Sequence, residues 1–117
     1  DHGRGAFDCL PEVVGACAGK ARIVVDGSVL RGSDIVKAMA MGADAVGIGR
    51  LQALALAAAG RPGIVRMLEL LEVEVRTALA LLGVTRFDQL DASYLHPATA
   101  VVEPRAFSAF PLLEEGY

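Results

Sequence analysis

The sequence predicts an α/β chain whose two strands are parallel and whose sheet continues beyond these residues. Three observations predict it. Two short runs rich in β-branched residues, Ile23–Val25 and the stretch Asp44–Gly49, are each closed by glycine. A helical pattern fills the space between them, so strand, helix and strand fit within about 30 residues, the size of a βαβ unit. Hydrophobic residues make up 54% of the 117 but aromatics only 5%, so the core is aliphatic, as in sheets covered on both faces. Both strands read as central ones, and two central strands need neighbours. The chain is therefore expected to be part of a larger α/β domain.

The elements follow in order. Leu10–Gly19 reads as a helix, with Pro11 in its first turn and Gly19 as a left-handed stop. Ile23–Val25 is the first strand, ended by Asp26-Gly27. Gly32-Ser33-Asp34 opens a second helix, with Ser33 as N-cap and Asp34 at the positive end. That helix stops at Gly42, and the second strand ends in Gly47-Ile48-Gly49-Arg50. The crossover is expected to be right-handed. Leu51–Ala59 is helical up to Gly60, and Pro62 starts a long amphipathic helix that ends at Gly83. Thr85 to Asp88 resembles a capping box for a short last helix. From His96 onward, Pro97, Pro104 and Pro111 mark an irregular tail, residues 96–117.

Several function classes find no support. The net charge is −3 and no basic block is present, so nucleic acid is not an expected partner. Cys9 and Cys17 read as buried small hydrophobes of a reducing compartment, and their spacing with His2 and His96 fits no metal site. No run approaches the ~18 apolar residues of a membrane span.

The candidate chemistry lies at the carboxyl ends of the strands, where parallel α/β folds bind ligands. Glycines in Asp26-Gly27-Ser28 and Gly47-Ile48-Gly49 let backbone N–H groups approach an anion. The following helix adds its positive end. Arg31 and Arg50 are placed to pair with phosphate. A single turn of this kind is often only a tight turn. Two in tandem resemble a barrel phosphate site.

The stretch VVDGSVLRGSDIVKAMAMGADAVGIGR resembles the FMN-dependent α-hydroxy-acid oxidases and dehydrogenases, whose typical text is DGGVRRGTDVxKALALGAxAVxIGRP. RMLELLEVEVRTALALLGVTRFDQLD is similar to that family's closing helices. The resemblance implies that residues 1–95 form the C-terminal part of an FMN-binding (β/α)8 TIM barrel, its last two βα units plus closing helices. It implies FMN as cofactor, with Asp26 on a ribityl hydroxyl. Gly27, Ser28, Val29 and Arg31 would then lie at the phosphate on one side, Gly49 and Arg50 on the other. Ser28 stands where the family has Gly, Leu30 where it has Arg, and Leu51 where it has Pro.

The opening DHGRGAFD is similar to the family's catalytic text HGGRQxD, which makes His2 a candidate base. Aligning the helix LPEVV instead sets Asp1 on the last residue of that text, and no catalytic residue then falls in the segment. The resemblance implies oxidation of an L-2-hydroxy acid to a 2-oxo acid. Its expected partners are the N-terminal remainder of the barrel, a small 2-hydroxy acid and further copies of the complete chain. The expected location is cytoplasmic or peripheral to a membrane. The alternatives are a phosphate-binding barrel of the IMP dehydrogenase or nitronate monooxygenase type, and a non-catalytic half-barrel binding module.

Overall fold

A computed structural model describes residues 4–27 and 29–98. Three helices and two strands alternate: α1 (Ala6–Cys17), β1 (Val24–Asp26), α2 (Gly32–Ala40), β2 (Ala45–Gly47) and α3 (Arg50–Leu81). Two 3-10 turns, Phe87–Gln89 and Ala92–Tyr94, follow. The strands are parallel and pair Val24 with Ala45, Val25 with Val46 and Asp26 with Gly47. No described helix is long and apolar enough to cross a membrane.

Two apolar clusters hold these elements. Leu10, Val25, Ala38 and Ala43 join α1, β1 and α2, with Phe7, Val14 and Val46 packed around them. Val36, Leu79 and Val84 join the other side of α2 to the end of α3. Helix α2 thus lies between the sheet and α3.

Local chemistry corrects several sequence expectations. Helix α1 begins at Ala6 rather than Leu10, so Pro11 lies inside it. Proline there cannot donate to the carbonyl four residues back. The early turns are held instead by Arg4, which donates to the Asp8 carbonyl at 3.0 Å and to the Glu12 carboxylate at 2.7 Å. The helix stops as read, through left-handed Ala18 and Gly19. Strand β1 starts one residue late because the Ile23 N–H donates to the Asp44 side chain at 2.8 Å.

Ser33 is not the N-cap of α2. Arg31 holds that place, and Asp34 accepts from the Leu30 and Arg31 N–H groups at 3.1 and 3.0 Å. Beyond Gly83, Gln89 rather than Asp88 receives the Thr85 and Arg86 N–H groups. Two 3-10 turns form there in place of one helix. Cys9 and Cys17 are half-buried free thiols, not core residues.

The break at Gly60 is present, and it divides α3 into two helical halves. Ala59 and Gly60 leave helical geometry, and Gly60 has φ 60°. A Cβ on Gly63 would run into the Ala55 carbonyl, so the two halves of α3 meet at this glycine. The strands are not buried on both faces in this chain. Val25 is buried against the helices, while Val24 on the opposite face is 64% exposed.

Candidate functional site

The carboxyl ends of β1 and β2 lie side by side because the ladder pairs Asp26 with Gly47. They form a concavity of about 370 Å³ lined by Asp26, Gly27, Val29, Leu30, Gly47, Gly49 and Arg50. Five of the residues proposed from the sequence therefore meet in one place: Asp26, Gly27, Val29, Gly49 and Arg50. Ser28 and His2 lie outside the described residues.

Glycine is required at two of these positions. Gly27 has φ 120°, a conformation that side chains disfavour. At Gly47 a Cβ would come within 2.8 Å of the Asp26 Cγ, so the Asp26 side chain lies where any larger residue would need space. Gly49 differs, because a Cβ there would meet nothing within 4 Å. Its role is positional: it is the N-cap of α3. The first turn of α3 contains no acidic residue. The positive end of α3 thus lies at the concavity, which Gly49 and Arg50 line.

The N-terminus of α2 is the opposite case. Asp34 takes the Leu30 and Arg31 N–H groups. Glu74, from α3, accepts the Gly32 N–H at 2.6 Å and the Arg31 Nε at 2.8 Å. Arg31 does not line the concavity, since its guanidinium is directed to Glu74. Gly32 permits this contact, because a Cβ would lie 2.5 Å from the Glu74 Cβ and 2.6 Å from the Val75 nitrogen. In the sequence Glu74 is one charged residue of the long amphipathic helix. It lies 42 residues from Gly32, and no local pattern links them.

The Gly32 N–H, with help from Arg31, holds the Glu74 carboxyl below its ordinary pKa. At the other end of the sheet, the Ile23 N–H and then Arg22 do the same for Asp44. A carboxylate with a lowered folded pKa stabilises the fold above its unfolded value of about 4. That contribution is lost as pH falls through the lower folded value. The urea midpoint is therefore expected to drop below about pH 4, more steeply in the native protein than in Glu74→Gln or Asp44→Asn. Equal slopes in all three would show that these contacts do not form.

Paired strand ends, glycines that admit close approach and a helix start thus meet at one mouth of this α/β segment. Comparison with known proteins identifies its family. A profile of the FMN-dependent dehydrogenase family matches residues 1–97. An L-lactate oxidase from Nostoc sp. is 43% identical over 82% of this chain and 26% of its own length. Human 2-hydroxyacid oxidase 1 is 43% identical over 73% of the chain and 23% of its own. A solved structure of mandelate oxidase with 3,3-difluoro-2-hydroxy-3-phenylpropionic acid superposes with a TM-score of 0.76 at 40% identity. It covers 86% of this chain and 30% of that one. The chain belongs to the family of FMN-dependent dehydrogenases, and it spans about a quarter of the length of these curated relatives.

The residues present fit FMN. Its phosphate calls for N–H donors and a cation, which Gly49, the start of α3 and Arg50 provide at the concavity. Its ribityl hydroxyls call for an acceptor, and Asp26 lies at the same mouth.

Proposed function

We propose that this chain is the C-terminal part of a (β/α)8 barrel enzyme that oxidises an L-2-hydroxy acid to a 2-oxo acid. In this reading β1 and β2 are the last two barrel strands. The observation that carries it is the shared concavity at their carboxyl ends, with Asp26 on one strand and Gly49-Arg50 after the other. Bound there, FMN supplies the electron acceptor for the reaction.

The chain's own residues bind and orient. Asp26 accepts a hydrogen bond from a ribityl hydroxyl. Gly27, Ser28 and Val29 offer backbone to the cofactor, and Gly49 N–H and Arg50 hold the phosphate. Arg31 acts indirectly, through its pairing with Glu74. The rest of the barrel supplies the proton-accepting base and the group that holds the substrate carboxylate. The complete enzyme is cytoplasmic or membrane-peripheral and assembles from several copies in this proposal.

The test is the visible spectrum of the full-length protein. A yellow, flavin-type spectrum that bleaches when an L-2-hydroxy acid is added without oxygen is the expected result. A colourless protein that takes up no FMN would overturn the reading. His2→Ala is expected to leave the rate of flavin reduction nearly unchanged, whereas loss of a general base costs about 10²–10⁴-fold. A loss of that size with FMN still bound would place the active site at His2.

A further inference from the structure

We infer that Gly47 is a positioning residue for the cofactor: the side chain missing from β2 is what lets the Asp26 carboxylate lean across the strand pair into the shared mouth. The inference rests on the FMN reading above.

The strand pair turns one face to the helices, where Val25 and Val46 pack. Successive side chains of a strand point to opposite faces, so Val24, Asp26, Ala45 and Gly47 share the other one. The ladder sets Val24 beside Ala45 and Asp26 beside Gly47. On this face β1 carries the larger side chains, whereas β2 carries one methyl group and one hydrogen. The difference leaves a hollow over Gly47, at the carboxyl end of β2.

Asp26 fills that hollow. A Cβ on Gly47 would lie 2.8 Å from the Asp26 Cγ, 2.9 Å from its Cβ and 3.2 Å from its Oδ1. Three atoms of one side chain thus lie over Gly47, and the carboxylate leans from β1 over β2. Any other residue at this position carries the offending Cβ whatever its rotamer. Asp26 would then have to turn to another staggered χ1, with a small shift of the strand. Both movements take the carboxylate out of the line in which it accepts a hydrogen bond, and such bonds weaken steeply with angle. Gly47 therefore acts on the cofactor through Asp26, not by touching it.

The test titrates FMN, and riboflavin, which lacks the phosphate, into the flavin-free full-length protein. Gly47→Ala is expected to weaken both about tenfold, since both carry the ribityl chain and both lose one hydrogen bond to a charged group. In an Asp26→Gly background, which removes the side chain over Gly47, adding Gly47→Ala is expected to change either affinity less than about twofold. A glycine needed only for the fold would cost the same in both backgrounds. Unchanged affinity in Gly47→Ala, losses that add in the double variant, or a loss for FMN alone would each overturn the inference and leave the FMN reading intact. If Gly47→Ala does not fold, recovery of folding in Asp26→Gly/Gly47→Ala shows the same coupling, and failure to recover overturns it. A native protein that binds neither flavin would overturn the FMN reading as well.

Discussion

Gly32→Ala is expected to destabilise the protein by about 1–3 kcal/mol through overpacking alone. The added methyl would lie 2.5 Å from the Glu74 Cβ and 2.6 Å from the Val75 nitrogen. One of these is main chain in the middle of a helix and cannot rotate away. Helices α2 and α3 must separate, which disturbs the packing of Val36 against Leu79. The Gly32 N–H would also lose Glu74, and a buried donor left unpaired costs about 1–3 kcal/mol more. Gly49→Ala is the matched control. Its methyl meets open space, and the backbone there has φ −96°. A lowered urea midpoint for Gly32→Ala and a nearly unchanged one for Gly49→Ala are the expected pair. Equal stability of the two variants would contradict the packing of α2 on α3.

Arg50→Ala is expected to weaken FMN binding by about 1.5–3 kcal/mol, the range for a hydrogen bond to a charged group. That corresponds to roughly a ten- to hundredfold rise in Kd. Arg50 is the first residue of α3 and lines the concavity beside Gly49. Leu30 carries no charge at the position where relatives of this type are expected to have arginine, which places more of the phosphate's charge neutralisation on Arg50. The measurement is quenching of flavin fluorescence on titration into the flavin-free protein, alongside a thermal transition. A weaker Kd with an unchanged transition is the expected outcome. Unchanged flavin affinity would remove Arg50 from the site.

Much of this was legible in the sequence where the signals are local. The β-branched runs marked both strands, glycines marked their ends, and Gly60 marked the break in α3. The concavity was legible for the same reason, since Asp26 ends one strand and Gly49-Arg50 comes after the other. What escaped was decided across the chain. Ile23 leaves the ladder because of Asp44, and the Ser33 cap is displaced by Asp34 acting on the preceding N–H groups. Pro11 misplaced the start of α1, because the Arg4 bonds to Asp8 and Glu12 that hold its early turns are not a capping pattern. Arg31 reads as a phosphate ligand by its neighbours, and its ion pair with Glu74, 43 residues away, follows from no local pattern.

The central claim is that the turn between β2 and α3 holds the phosphate of FMN. The most direct measurement is a crystal structure of the full-length protein loaded with FMN, read at the phosphorus position. The phosphate is expected at the start of α3, within hydrogen-bond reach of the Gly49 and Arg50 N–H groups, with Glu74 still bonded to Gly32. A phosphate at the start of α2, with Glu74 displaced, or a flavin bound away from both strand ends, would contradict it.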